Sequence, residues 1–229
     1  MADRGKRLIA FALYPGVTPL DVVGPLTVLR DLRIGTPYRT VVVAERLEAL
    51  PTDTNLHVTP ARTFAEVQAP FAVFVPGGGT NTIEAMADRA LVTYVRRAAA
   101  SATIAGSTGN GALVLAAAGL LDGRRAAIHW AYANLLRERG AVPVADRWVD
   151  DGRFLTAAGG TAGIDAMLQL TARLRSVSAA RLAQLWMEYD PQPPFGRPAA
   201  IEASGELGAH LRARPALSAS REGLDDVTH

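Results

Sequence analysis

Residues 8–14 form an unbroken apolar run closed by Pro15-Gly16. A short run without polar alternation predicts a strand buried on both faces. Leu20, Val23, Leu26 and Leu29 then recur at helical spacing, which predicts a helix over 19–32. Further strands are expected at 40–44, 71–75 and 102–105, with the helical stretch 81–100 between the last two. A glycine-rich turn at 106–111 leads into an alanine-rich helix over 112–121. A short strand at 126–128 and a helix over 130–139 follow. Residues 147–157 read as a hairpin turning at Asp151-Gly152, and two more helices are expected at 161–174 and 179–188.

Strands alternating with helices of this length predict an α/β fold, a mostly parallel sheet with helices on both faces. In such sheets ligands bind outside the C-terminal ends of the strands. Three segments with unusual chemistry follow strands directly: the turn leading to Asp21, the run Gly77-Gly78-Gly79, and the turn at 106–111. They are expected to meet in one crevice. Residues 1–200 read as a single α/β domain that includes a proline-rich arm near 190–198. Residues 201–229 read as a partly disordered C-terminal tail.

Composition narrows the chemistry. The formal net charge is +2 and the basic residues are scattered, whereas nucleic-acid binding asks for a concentrated basic face. There is no cysteine, so disulfides, zinc–thiolate sites and thiol nucleophiles are excluded together. The four histidines share no metal-ligand spacing. Neither glycine-rich segment has the Lys-Ser/Thr ending of a phosphate-binding loop or the spacing of a dinucleotide fingerprint, so no cofactor is expected. No apolar run is long enough to span a membrane, and the N-terminus lacks a signal-peptide pattern, which makes the cytoplasm the expected location.

The candidate site residues carry two readings each. A strand, a tight turn of small residues and a helix make the general form of a nucleophile elbow, but also of a plain connection. Gly78 and Gly79 could offer N–H groups to an oxyanion or simply turn the chain. Asp21 is either an early-helix acid favoured by the helix dipole or a desolvated carboxylate suited to proton transfer. His129, beside Trp130 at a strand end, is either a hydrogen-bonded structural residue or part of the site. Ser107 and Thr108 bring hydroxyls without an evident base.

Pro15-Gly16-Val17-Thr18-Pro19-Leu20-Asp21-Val22-Val23-Gly24-Pro25, then Phe74-Val75-Pro76-Gly77-Gly78-Gly79, then Gly111 to Ala126 with His129-Trp130 as a post-elbow helix and following strand, resemble the isonitrile hydratase-like branch of the PfpI/ThiJ superfamily. Ala158-Gly159-Gly160-Thr161-Ala162-Gly163-Ile164-Asp165 and Glu188-Tyr189-Asp190-Pro191 continue the series. The resemblance implies a flavodoxin-like, class I glutamine amidotransferase-like fold, and a homodimer with the arm around Phe195 packing across the boundary. It also implies a Ser-x-Cys-x-Gly elbow whose cysteine attacks the isonitrile carbon. Here Ser107 matches the leading serine, and the cysteine position is Gly109. Family chemistry therefore cannot run in its usual form.

Glycine at an elbow apex removes the strain that a Cβ would suffer there. The missing side chain is also expected to open space in the crevice. The resulting reading is a cofactor-free enzyme acting on a small neutral organic molecule, a hydratase or lyase, isomerase or cyclase. Asp21 serves as general acid/base and Asn110 orients the substrate. Gly78, Gly79, Ser107, Thr108, Gly109, His129 and Trp130 line the binding site. The alternative is a pseudoenzyme that binds a ligand in the same crevice.

Overall fold

A computed structural model of the chain describes residues 5–195. The chain divides into two compact units, Met1–Tyr189 and Asp190–His229. The expected tail at 201–229 and the last residues of the arm lie outside the described residues. The described part of the arm, up to Phe195, carries no strand or helix, and the Phe195 side chain is exposed.

The first unit is built on a seven-stranded sheet. Its strands in chain order are β1 (Arg7–Ala12), β2 (Tyr38–Ala44), β3 (Arg62–Thr63), β4 (Ala72–Val75), β5 (Ile104–Ser107), β6 (Trp148–Asp151) and β7 (Phe154–Ala157). They lie in the order β6-β7-β5-β4-β1-β2-β3. All pairings are parallel except the β6–β7 hairpin at the edge. After β1 the chain builds outward through β2 and β3, then returns to β4 on the other side of β1. That reversal puts the crevice for ligands above the C-terminal ends of β1 and β4.

The helices are α1 (Pro19–Leu29), α2 (Asn81–Ala85), α3 (Arg89–Ser101), α4 (Ala112–Ala117), α5 (Ala133–Glu138), α6 (Gly160–Leu174) and α7 (Val177–Trp186). On one face of the sheet, Ile9, Phe11, Phe74, Ile104 and Leu155 pack under α1 and α6 in a buried cluster. Phe11 and Phe74 stack there with ring centroids 5.5 Å apart. Helices α3 and α4 contact the sheet at β4 and β5, and α3 buries Leu91 and Val95 while α4 buries Leu113 and Leu115.

Helical boundaries differ from the sequence expectation in several places; the helix expected over 130–139 opens as a 3₁₀ turn, Trp130–Tyr132, before α5, and α7 sits two residues earlier than expected. The stretch 81–100 is two helices, because Asp88 caps a fresh N-terminus by accepting from the N–H groups of Ala90 and Leu91. Helix α4 stops at Ala117 instead of 121. Gly119 takes φ +73°, its N–H reaches Ala116 O, and the Leu120 N–H reaches Leu115 O, a Schellman termination. Helix α1 ends at Leu29 and tightens into a 3₁₀ turn, Arg30–Arg33. The short strand expected at 126–128 is present as Arg125–Ala127 and pairs with Val142–Val144, whereas that partner and the pair Leu50–Pro51 with His57–Val58 had no clear periodic signal because each is only two or three residues long. No helix among the described residues is long and apolar enough to cross a membrane.

Candidate active site

The three segments singled out by the sequence converge. Asp21 lies in the first turn of α1, which begins with Pro19 at its first position, where the missing N–H costs nothing. Its carboxylate is buried, with 4% of the residue exposed. Oδ2 accepts a 3.0 Å hydrogen bond from the N–H of Gly77, just past β4. The same oxygen sits against Gly109, the apex of the turn after β5.

The Asp21 backbone is held as firmly as its side chain. Pro25 stands four residues later inside α1 and has no N–H to give the Asp21 carbonyl. The hydroxyl of Thr108 fills that role, donating to Asp21 O at 2.9 Å, while the Thr108 N–H donates to Val75 O. A proline that looks disruptive in the helix thus creates the acceptor that joins α1 to the elbow.

Gly109 has φ +57°, in the left-handed region where a side chain is strained. This matches an elbow apex. The expectation of open space at the missing side chain is corrected by the geometry. A Cβ on Gly109 would lie 2.2 Å from Asp21 Oδ2, so the aspartate carboxylate occupies that volume.

Beside it lies a closed polar network. Asn110 Oδ1 accepts from the Gly78 N–H at 3.1 Å and from the Thr82 hydroxyl at 2.9 Å, and Asn110 Nδ2 donates to Gly79 O. The Gly78 N–H also reaches Thr82 Oγ1 at 2.9 Å. The Tyr14 hydroxyl donates to Pro76 O at 2.9 Å and lies 2.8 Å from Thr82 Oγ1. Tyr14 and Thr82 were not legible as site residues. Tyr14 reads as the last apolar position of a buried strand, and Thr82 as an ordinary helix residue. Because this network consumes the Gly78 N–H, the pair of amides expected from Gly78 and Gly79 narrows to Gly79. Its N–H meets no acceptor among the described residues.

Electrostatics follow from burial. Desolvation pushes the Asp21 carboxyl up to about 6, the Gly77 N–H bond opposes the rise, and the nearby charge of Asp53 adds to it. Burial likewise raises Tyr14 far above its ordinary range, so it stays a neutral donor. Oδ1, the second oxygen of Asp21, has no hydrogen-bond partner among the described residues. It faces Gly160, where a Cβ would come within 3.0 Å of it.

The other expected residues are less tightly joined to this centre. Ser107 is buried in register with Val75 and Thr156, and its Oγ has no hydrogen-bond partner. His129 is exposed and caps the turn Trp130–Tyr132, its Nδ1 accepting from the Ala131 N–H at 3.4 Å. Its ring lies 5.5 Å from that of Trp130, which is 46% exposed. No hydrogen bond among the described residues joins His129 or Trp130 to Asp21.

An elbow apex at left-handed φ, an acid in the first turn of α1 and a glycine run after β4 form one constellation, and the matching family model covers residues 7–173. The chain belongs to the DJ-1/PfpI family. It is 40% identical over 217 residues to an isonitrile hydratase of Pseudomonas putida, covering 93% of each chain. It is also 31% identical to the HTH-type transcriptional regulator GlxA of Rhizobium meliloti, over 97% of this chain and 69% of that protein. Among solved structures, a ThiJ/PfpI family protein from Pseudomonas syringae superimposes with a TM-score of 0.82 at 36% identity, covering 91% of this chain and 88% of the other. Within this DJ-1/PfpI family member, the position implied for the cysteine is the glycine that touches Asp21.

Proposed function

We propose that this protein is a cofactor-free enzyme of the isonitrile hydratase-like type in which Asp21 acts as general acid/base. The product class is that of a hydratase or lyase, an isomerase or a cyclase. One observation carries the reading: the carboxylate is buried against the elbow apex, with a pKa near 6 and one oxygen free of hydrogen bonds. Such a group is mostly ionised at neutral pH yet close enough to its pKa to take a proton and return it.

Oδ2, fixed by the Gly77 N–H, orients the carboxylate, and Oδ1 exchanges the proton with a small neutral substrate. The Gly79 N–H, without an acceptor among the described residues, is assigned as the donor to developing negative charge. Asn110, locked by Gly78, Gly79 and Thr82, holds the glycine run in shape beside the carboxylate. His129 and Trp130 are assigned to contact with an apolar part of the substrate, supported by their exposed aromatic surface.

The likeness to transcriptional regulators supports a second reading, a catalytically silent domain that binds a small ligand in the same place. The two are separated by turnover. Small isonitriles, enones and lactones would be incubated with the wild type and Asp21→Asn and followed by NMR. Turnover abolished by Asp21→Asn supports the enzyme. Binding without turnover supports the ligand-binding domain, and turnover indifferent to the substitution sinks the role given to Asp21. A homodimer and a small neutral organic partner belong to the same proposal.

A further inference from the structure

At the opposite end of the sheet, where β1 and β2 begin, lies a cavity of about 230 Å³. Arg30, Arg33 and Arg39 ring it, and Ile9, Leu29 and Leu32 beneath them are almost wholly buried. Arg39 pairs with Leu8 in the β1–β2 register, so along the strands this cavity is roughly 20 Å from the level of Tyr14. It is separate from the Asp21 centre.

The three arginines are not equivalent. Arg30 is neutralised: its Nε and Nη2 bond to both oxygens of Asp31 at 3.2 and 2.8 Å. Arg39 is half-buried and anchored through Nη1 alone, which donates to the carbonyls of Arg33, Thr36 and Tyr38 at 3.2, 2.9 and 2.6 Å. Those partners are neutral, so they fix the guanidinium without cancelling its charge. The Nε–Nη2 edge of Arg39 has no acceptor among the described residues. That edge is the planar fork that grips a carboxylate with two parallel hydrogen bonds. Arg33 adds a second cation that makes no ion pair within 4 Å among the described residues.

We propose that this cavity is a second ligand site, and that it binds a small organic carboxylate through the fork of Arg39 and the charge of Arg33. A carboxylate offers two coplanar oxygens to that edge, one to each N–H. Anchoring of Arg39 by three backbone carbonyls holds the fork in place before the ligand arrives, which lowers the ordering cost of binding.

Benzoate titrated into the full-length protein, followed by amide shifts in NMR spectra, tests this. The expected result is saturable binding with shifts centred on Leu32, Arg39 and Thr40. Benzamide, the neutral analogue, and inorganic phosphate should each bind at least tenfold more weakly. Arg33→Gln, which removes no hydrogen bond of the fold, should weaken benzoate several-fold. Arg39→Gln should weaken it tenfold or more, and Arg39→Lys should rescue it only in part. Asp21→Asn should leave the affinity unchanged. Absence of saturation, equal affinity for benzamide, or benzoate binding unmoved by Arg33→Gln in a folded protein would overturn the site. Phosphate binding as tight as benzoate would overturn the assigned ligand class.

Discussion

The carboxylate of Asp21 stands where the side chain of residue 109 would begin. A Cβ built on Gly109 falls 2.2 Å from Asp21 Oδ2 and 3.3 Å from its Cγ. No real pair of atoms tolerates the first distance, so the two positions are coupled: this placement of the acid requires glycine at the apex.

That coupling is measurable. Gly109→Ala should destabilise the protein by at least about 1–3 kcal/mol from the left-handed backbone alone. Displacement of the carboxylate adds to that. Combining it with Asp21→Ala removes the collision but keeps the backbone strain, so the double variant should be more stable than the sum of the singles, by about 0.5–3 kcal/mol. Strict additivity in urea denaturation would show that the carboxylate is elsewhere in solution.

The pKa of Asp21 fixes a sign for stability against pH. Its folded value, about 6, lies above the ordinary 3.8, so the native state holds the proton more tightly than the unfolded chain. The neutral form's advantage is present at pH 4 and is lost as pH rises through 6. Relative to the wild type, Asp21→Asn should therefore gain stability between pH 4 and pH 8, by about 2–3 kcal/mol in all. Parallel denaturation curves across that range test it, and a constant difference would place the carboxyl in water. If Asp21 is the base in turnover, kcat/KM should rise with pH and level above about 6.

Pro25 and Thr108 form a second testable pair. Thr108→Val strips the donor from the buried Asp21 carbonyl and should cost about 1–3 kcal/mol. Pro25→Ala restores a helical N–H four residues along from that carbonyl. Thr108→Val should cost measurably less in the Pro25→Ala background, a difference read from a thermal-melt double-mutant cycle.

Thr82 holds three partners at once: the Gly78 N–H, Asn110 Oδ1 and the Tyr14 hydroxyl. Thr82→Val keeps the shape and removes all three, and should cost about 1–3 kcal/mol. Thr82→Ser keeps the hydroxyl and should retain most of the stability. If valine and serine behave alike, the methyl packing matters and the network does not.

Much of the fold was readable in order along the chain. The apolar run at 8–14 became β1 because a strand buried on both faces needs no polar alternation. The β6–β7 hairpin turns at Gly152-Arg153, one residue later than the expected Asp151-Gly152: Asp151 still pairs with Phe154 in the ladder, and Gly152 takes φ +69°. Asp21, Gly77 and Gly109 were each singled out by following a strand, and parallel topology brings such positions to one end of the sheet. The two-residue strand β3 was not readable, since its pairing comes from β2 and not from its own pattern.

The sequence by itself determined the sheet class, the family, the absence of a thiol and the residues that would meet. Periodicity, turn chemistry and composition are local properties and survive without a structure. Only the tertiary structure decided what those residues do to one another: that Asp21 fills the space at Gly109, that Gly78 turns its N–H inward, that Thr108 answers Pro25, and that Arg39 keeps one edge of its guanidinium unused. Each depends on distances of a few ångströms between segments tens of residues apart, and no local pattern encodes them.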